Sequence, residues 1–375
     1  CTASYDSRTT QKVSGTGAFW SGKFHQAWTT TLRVEESEDR MRDYRLDPTR
    51  GVEFHNRFTT RQRQYTWQND LAVGPGTALL ALERLDQDID ADRSYTARSR
   101  TIRAWVAGYD LWAGPHGLQA SLRNDSSDQF GSRRTGGLTY AYRTEGGWQF
   151  QAGLKTAFKA PTFNDLYFPA DPMFGGGNAQ LRPEEARGAE LGVRYRGNGY
   201  RLGATAYRNR VTDLIEWRPN PGKGPFYWEP QNISQALLRG ITLDGSATLG
   251  DWNLRGSLDL QDPRDLQREV LLNNRARIHG KFQADRRSGP WRYGVGAVSS
   301  GPRWEDDAFS LVTPANRRER LGGYTVANAT VDYELNRDWS LFVRINNLFG
   351  KRYEPRFNYG VEGARVLVGL RFGEF

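Results

Sequence analysis

Apolar and polar residues alternate along many short stretches of this chain, and the closing stretch shows the pattern clearly. Val366, Val368, Leu370 and Phe372 are apolar, and they alternate with Arg365, Leu367, Gly369 and Arg371. Successive side chains of a strand point to opposite faces, so a period of two predicts a strand with one apolar face. That face packs against a second layer in a water-soluble sheet, whereas in a membrane barrel it meets lipid and the polar face lines the interior.

The same period predicts sixteen strands, and no helix of useful length. We expect residues 1–22 to form a loop and residues 23–375 to form one β domain. A chain of 375 residues divided by sixteen leaves about 23 residues for each strand and its connection, which suits tilted membrane strands. The predicted strands are 23–36, 57–73, 77–90, 99–113, 117–128, 133–144, 148–158, 185–196, 199–217, 236–249, 252–262, 274–286, 291–304, 322–335, 339–349 and 360–372.

Short and long connections alternate between these predicted strands. The short ones are rich in turn-forming residues, as in Gly74-Pro75-Gly76 and Gly197-Asn198-Gly199. Membrane barrels have short turns at one end and long loops at the other, which a soluble sandwich has no reason to maintain. The pattern therefore predicts an all-β, antiparallel transmembrane β-barrel. The long connections are predicted at 37–56, 159–184, 218–235, 263–273, 305–321 and 350–359.

Four tryptophans each begin a predicted strand directly after a short turn: Trp148, Trp252, Trp291 and Trp339. Aromatic residues make up 13% of the chain, and barrels place them in girdles at the membrane interfaces. Four indoles at one level therefore indicate such a girdle. The alternative is that they are core tryptophans at strand starts.

Composition narrows the remaining possibilities. Hydrophobic residues are only 37% of the chain, and no run of 18 apolar residues predicts a transmembrane helix. The net charge of +9 is spread along the chain without a block of like charges, so we expect no nucleic-acid partner. The single cysteine, Cys1, excludes an internal disulfide bond.

No catalytic or metal-binding constellation emerges from the residues. The four histidines are scattered without ligand spacing, so neither a zinc site nor a barrel enzyme of the lipase or protease type is expected. The Gly175-Gly176-Gly177 run lies in a long loop and not between a strand and a helix, which favours flexibility over a phosphate cradle.

Three motifs carry a resemblance to a known family. Phe158–Phe163 (FKAPTF) is followed by Gly177–Glu185 (GNAQLRPEE), Arg239–Asp244 reads RGITLD, and Asn346–Tyr353 reads NNLFGKRY. Together they resemble the segments that end loops and open strands in TonB-dependent outer-membrane receptors. That resemblance implies a bacterial outer-membrane location and a barrel of 22 strands with a plug domain and a TonB box. Only about sixteen strands and no plug are identified here, which predicts a fragment of such a barrel.

Within the family the chain is most similar to vitamin B12 (cobalamin) receptors. Tyr5–Thr9 resembles an outer-loop segment that contributes to calcium and cobalamin binding, and Leu271–Arg277 resembles a substrate-side strand start. The resemblance implies that Tyr5, Asn274 and Arg275 contact the ligand. It also implies that Asp6 is a calcium ligand, because carboxylate oxygens suit this hard cation. An ordinary loop role for Asp6 stays open.

The resemblance implies a monomeric transport receptor that catalyses no reaction. Its ligand would be cobalamin, and the alternatives are a ferric siderophore taken up by the same kind of receptor or a passive sixteen-stranded porin. Calcium is the one cofactor considered, in the outer loops. The expected partners are membrane lipid, lipopolysaccharide and the TonB complex, the last acting through a plug domain that this chain lacks.

Overall fold

A computed structural model of the chain describes residues 6–47, 52–173, 175–224, 227–306, 318–357 and 359–373. Within these ranges there are twenty strands and one short helix, α1 (Phe163–Tyr167). The strands are β1 (Asp6–His25), β2 (Trp28–Asp47), β3 (Val52–Val73), β4 (Gly76–Ala91), β5 (Ser99–Ala113), β6 (His116–Ser127), β7 (Gly131–Arg143), β8 (Trp148–Lys159), β9 (Glu184–Arg196), β10 (Tyr200–Pro219), β11 (Trp228–Leu249), β12 (Trp252–Asp265), β13 (Val270–Leu271), β14 (Ile278–Ser288), β15 (Trp291–Ser300), β16 (Arg303–Asp306), β17 (Arg318–Leu321), β18 (Tyr324–Glu334), β19 (Trp339–Asn346) and β20 (Arg365–Phe372).

Eighteen of these strands belong to one sheet, and β16 pairs with β17 in a separate two-stranded ribbon. Neighbours along the chain pair antiparallel, as β1 does with β2, β4 with β5 and β19 with β20. Each of the sixteen predicted strands corresponds to one strand of the described sheet, so the predicted all-β antiparallel class is confirmed. No helix among the described residues is long and apolar enough to cross a membrane.

The prediction of a loop over residues 1–22 is wrong for the residues that the structure describes. β1 runs from Asp6 to His25 and pairs with β2 from Asp6↔Leu46 to His25↔Trp28. Its sequence is rich in Ser, Thr and Gly, which is a weak local strand signal. Because strand preference depends strongly on the neighbouring strand, pairing over twenty residues outweighs that composition.

The prediction of a long loop over 37–56 is also wrong. β2 continues to Asp47, and β3 begins at Val52. Opposite charges face each other across the pair, with Arg63 2.5 Å from Glu36 and Arg61 2.8 Å from Glu38. Such cross-strand pairs stabilise a sheet locally. A membrane crossing needs only about 9–11 residues, so these strands of 20 and 22 residues extend well beyond one crossing.

The predicted alternation of short and long connections is confirmed for part of the chain only, because β3 begins at Val52 soon after β2 ends at Asp47, and β7 begins at Gly131 soon after β6 ends at Ser127. Short turns join β1 to β2 and β3 to β4, and Gly74 and Gly114 occupy the left-handed backbone region in two of the short turns. At the opposite strand ends lie the segment with α1 between β8 and β9 and the connection between β19 and β20. The predicted loop at 305–321 lies partly outside the described residues.

Large apolar side chains are exposed on one face of the strands. On β20, Val366, Val368, Leu370 and Phe372 are each 60–70% exposed. Trp148, Phe150 and Leu154 of β8 are exposed in the same way. A soluble two-layer sheet would bury these residues, whereas a membrane barrel turns them to the acyl chains. The exposure therefore supports the lipid-facing interpretation over the soluble one.

The four tryptophans predicted to form a girdle begin β8, β12, β15 and β19, as expected, and all are exposed. Aromatic neighbours join them at the same end: Trp148 lies 4.7 Å from Tyr195, Trp291 lies 4.6 Å from Tyr333, and Trp339 lies 5.0 Å from Phe372, between ring centroids. Exposure excludes the core interpretation, and the short-turn end therefore carries an aromatic belt.

The chain divides into two compact units. Unit 1 comprises residues 1–140, 155–186 and 213–232, and unit 2 comprises 141–154, 187–212 and 233–375, each within the described residues. Unit 1 contains a small buried cluster of Ile89, Ala91, Tyr95 and Phe163, against which Phe58, Tyr167 and Phe168 pack. This cluster lies among the long loops and positions the first candidate site.

Candidate ligand-binding loops

The loop between β8 and β9 is organised by α1. Thr162 is the N-cap: its hydroxyl accepts a hydrogen bond from the Asp165 backbone N–H (3.1 Å), and the Asp165 carboxylate accepts one from the Thr162 N–H (2.9 Å). This reciprocal capping box satisfies two donors that a helix start would otherwise leave unpaired. A five-residue helix is marginal alone, so the cap and the buried Phe163 and Leu166 hold it in place.

Arg100 and Tyr95 connect this loop to its neighbours in unit 1. Arg100 donates to the Pro161 carbonyl (2.7 Å) and to Gln129 (2.9 Å), and its guanidinium lies 5.1 Å from the Phe163 ring centroid. Tyr95 donates its hydroxyl proton to Asn164 (2.7 Å). Burial lowers the pKa of Arg100 and raises that of Tyr95, which shows that both polar groups are withdrawn from water.

Glycines close the far side of the same loop. The N–H of Gly177 donates to the Phe168 carbonyl (2.9 Å), and that of Asn178 donates to the Asp165 carbonyl (2.7 Å). A Cβ at Gly177 would lie 2.6 Å from the Phe168 nitrogen, and one at Gly175 would lie 1.7 Å from the Trp228 carbonyl oxygen. The glycine run is therefore a place of close backbone approach, which requires residues without a Cβ, and its predicted flexibility stays a prediction.

The last residues of the first motif tie the loop to β10 and β11. Lys159 and Glu184 form an ion pair of 3.0 Å, and Glu184 also accepts the Ile215 N–H (3.2 Å). Asn232 accepts from the Arg182 N–H (2.9 Å) and donates to the Asp213 carbonyl (2.7 Å). These bonds of Lys159, Glu184 and Asn232 thus stabilise the loop.

The predicted ligand residue Asn274 is part of a second anchored region, in unit 2. Its N–H donates to the Trp304 carbonyl (2.8 Å), and its amide donates to Glu305 (3.1 Å). Glu305 in turn accepts the Phe357 N–H (2.7 Å) and lies 3.5 Å from Arg356. Asn274 has φ of 56°, a left-handed conformation that Asn tolerates better than most residues. These contacts give Asn274 a role in holding three loops together.

The other predicted site residues, Arg275, Tyr5 and Asp6, differ in what the structure describes of them. Arg275 is exposed beside Asn274, so its side chain is accessible to a ligand. Tyr5 lies outside the described residues. Asp6 begins β1 opposite Leu46, and its side chain is not described, so its proposed calcium role stays a prediction. Among the described residues there is no group of three or more His, Cys, Asp or Glu side chains that could hold a metal ion.

The other two motifs are also structural. In the third motif, Asn347 has φ of 53°, donates its amide to the Lys351 carbonyl (3.0 Å) and accepts the Lys351 N–H (2.8 Å). In the second, a Cβ at Gly240 would lie 2.4 Å from the Leu260 carbonyl oxygen and 2.8 Å from the Tyr207 hydroxyl. Asn347 therefore closes the turn to Lys351, and Gly240 leaves space for the Tyr207 side chain.

Sequence reasoning missed Tyr95 and Arg100, the two residues that join the loops of unit 1. Nothing in the local sequence marks them, because the loop residues that they bond, Gln129, Pro161 and Asn164, are between 29 and 69 residues away. The helix was detectable in principle, since Thr162 followed by Asp165 three positions later is the spacing of a capping box.

Comparison with known proteins adds a separate line of information. A family model described as "TonB dependent receptor-like, beta-barrel" matches residues 2–348. The vitamin B12 transporter BtuB of Vibrio vulnificus (strain YJ016) is 29% identical over 313 residues, which cover 81% of this chain and 47% of that protein. BtuB of Photobacterium profundum is 29% identical over 246 residues, which cover 65% of this chain and 38% of that protein. The chain therefore spans about half the length, or less, of these relatives.

Solved structures of similar fold include the copper transporter OprC, with a TM-score of 0.76, 15% identity and coverage of 96% of this chain and 66% of that one. The siderophore receptor PirA from Acinetobacter baumannii also has a TM-score of 0.76 at 15% identity, with coverage of 97% and 62%. At this identity the likeness describes the fold alone. It agrees with a β-barrel whose apolar face meets lipid.

Proposed function

Because the chain belongs to the TonB-dependent receptor-like β-barrel family, we propose that it is the barrel part of a bacterial outer-membrane receptor for cobalamin. The observation that supports cobalamin as the ligand is the match to a vitamin B12 transporter over 81% of this chain. In the proposed receptor, the long loops capture the ligand, and the TonB complex supplies energy through a plug domain. The receptor acts as a monomer and catalyses no reaction.

The two anchored loop regions support a capture role. Loops that bind a ligand tightly need a rigid frame, because ordering them at the moment of binding costs free energy. The capping box of α1 and the Asn274–Glu305 bond provide such frames in unit 1 and unit 2. We therefore assign Asn274 to the frame, and Arg275, exposed beside it, to direct contact with cobalamin.

Calcium is part of the proposal through Asp6. Its carboxylate would provide one oxygen ligand, and a full calcium site needs six to eight. Tyr5 lies next to it in the sequence and is proposed to contact the ligand together with the ion. Calcium dependence of cobalamin binding is the direct consequence.

The test is a calorimetric titration of cobalamin into the longest natural chain that contains this sequence, with and without calcium. We expect binding at micromolar cobalamin or below, weaker binding after chelation, and weaker binding by Arg275→Ala. Arg337→Ala, in a short turn at the other end of the strands, is the matched control and is expected to bind normally. No heat with calcium present, or heat only with a ferric siderophore, would overturn the cobalamin assignment.

A further inference from the structure

Three arginines converge on one carboxylate near the outer end of β12: Arg239 comes from β11, Arg264 from β12 and Arg277 from the residue before β14. Arg239 lies 3.1 Å, Arg264 3.0 Å and Arg277 3.3 Å from the Asp262 carboxylate oxygens. Three positive charges against one negative charge leave a local excess of two. The three guanidinium groups are roughly half exposed, while Asp262 is largely covered. The cluster therefore presents donors outward and shields its one acceptor.

The cluster lies on the lipid-facing side of the sheet. Arg239 is two residues from Ile241, and Asp262 is two residues from Leu260, so each shares a face with an exposed apolar side chain. Arg277 precedes the first residue of β14 and reaches the same Asp262 carboxylate from beside the neighbouring strand. Arg239 and Asp262 are also direct Cα partners across the β11–β12 pair.

The arginine cluster lies at the level of the membrane where lipid headgroups are found. β12 runs from Trp252, in the aromatic belt, to Leu260, the last apolar residue of this face, in nine residues. A tilted membrane strand needs about 9–11 residues to cross the hydrocarbon core. Asp262 and its arginines therefore follow immediately where the core ends, at the end with the long loops.

Other charges on the same kind of face are matched more evenly. In unit 1, Arg63 pairs with Glu36 at 2.5 Å, and Arg61 and Arg40 share Glu38 at 2.8 and 2.7 Å, which gives three arginines to two carboxylates. Exposed pairs of that kind contribute little and leave small local charge. The arginine cluster differs because each guanidinium shares the same carboxylate, so donors on all three are available to an anion.

We infer that Arg239, Arg264 and Arg277 bind the phosphate group of a phosphorylated glycolipid in the outer leaflet. Guanidinium donors match phosphate oxygens in geometry and charge. The neighbouring Ile241, Leu260 and Ile278 would contact the acyl chains of the same molecule. This inference rests on the outer-membrane location proposed above, but not on cobalamin as the ligand.

The test is native mass spectrometry of the receptor purified in detergent, titrated with bisphosphorylated lipid A or with lipid A stripped of its phosphates. The test variant combines Arg239→Gln, Arg264→Gln and Arg277→Gln. The matched control combines Arg286→Gln, Arg287→Gln and Arg292→Gln, which removes equal charge at the short-turn end of β14 and β15. Circular dichroism and resistance to heat in detergent confirm that each variant is folded.

We expect the test variant to bind phosphorylated lipid A about a hundredfold more weakly, because each basic residue at a charged lipid surface contributes roughly fivefold. The control is expected to bind within about twofold of the native receptor by the same reasoning. Asp262→Asn, which raises the local excess from two charges to three, should bind more tightly. A cluster that only held strand ends together would not respond with this opposite sign.

Equal binding of the phosphorylated and the stripped lipid would overturn the inference, and so would native affinity in the test variant. Inorganic phosphate that binds as tightly as the lipid would also overturn it, because a free anion would then suffice. Cobalamin titrations on the same samples separate the two proposals. A receptor that holds the phosphorylated lipid but ignores cobalamin would support this site and overturn only the proposed ligand.

Discussion

Gly177 is the position where a single methyl group should loosen the loop between β8 and β9. An alanine Cβ there would lie 2.6 Å from the Phe168 nitrogen, 2.7 Å from the Tyr167 nitrogen and 2.8 Å from the Leu166 carbonyl carbon. All three are backbone atoms, so no side chain can rotate away. The loop must therefore shift as a whole.

The cost follows from overpacking. Inserting an extra methyl group into a well-packed site costs about 1–3 kcal/mol, and each 1.4 kcal/mol is roughly a tenfold change in an opening equilibrium. The backbone bonds from Gly177 to Phe168 and from Asn178 to Asp165 should therefore open about ten- to a hundredfold more often in Gly177→Ala. Hydrogen exchange at the amides of residue 177 and Asn178, the two donors of these bonds, measures this directly.

Gly222→Ala is the matched control, because its nearest contact would be the Asn220 side-chain oxygen at 3.3 Å, which can rotate away. We expect its exchange rates at Gly177 and Asn178 to equal those of the native chain. Unchanged exchange in Gly177→Ala, or equal acceleration in both variants, would refute the view that close backbone approach holds this loop.

Two further predictions concern the strands and the outer loops. Val368→Arg, on the exposed apolar face of β20, should lower the free energy of unfolding in lipid vesicles by about 2–4 kcal/mol, whereas Leu367→Arg on the opposite face should cost clearly less in the same urea titration. Burial opposes ionisation of Glu229, but hydrogen bonds from Lys223 and Asn220 outweigh it and lower the pKa of Glu229. The stabilisation of the loop before β11 is therefore present above the unfolded pKa of a glutamate and is lost as pH falls through the lower folded value. The protection factor of the Tyr227 amide, its exchange relative to the intrinsic rate at each pH, should fall with acid in the native chain, and a Glu229→Gln variant with the same acid response would contradict this.

The candidate site was predictable only in part. The position of the short turns followed from residues such as Gly197-Asn198-Gly199, and the position of Asn274 and Arg275 at a strand start followed from the resemblance. The different roles of the two residues, Asn274 in holding the loops and Arg275 in contacting the ligand, did not follow from the sequence. Asn274 bonds to Glu305, which is 31 residues away, and no local pattern reports such a contact.

The same distinction applies to charges. Arg239, Asp262 and Arg277 are far apart in the sequence, and each alone looks like an ordinary loop or strand-end charge. Antiparallel pairing brings Arg239 opposite Asp262, and the following strand adds Arg277. The local excess of positive charge arises only from that arrangement.

The sequence by itself determined the features that depend on neighbours one or two positions away. The period of two set the apolar face of each strand, and glycine-rich turns set the short connections. Tertiary structure decided what depends on a partner strand. β1 forms despite its polar composition because β2 pairs with it from Asp6 to His25, and β2 and β3 extend through the predicted loop because Glu36 and Glu38 face arginines. Side-chain periodicity is a local property, whereas hydrogen bonding and charge pairing across strands are satisfied only when the sheet assembles.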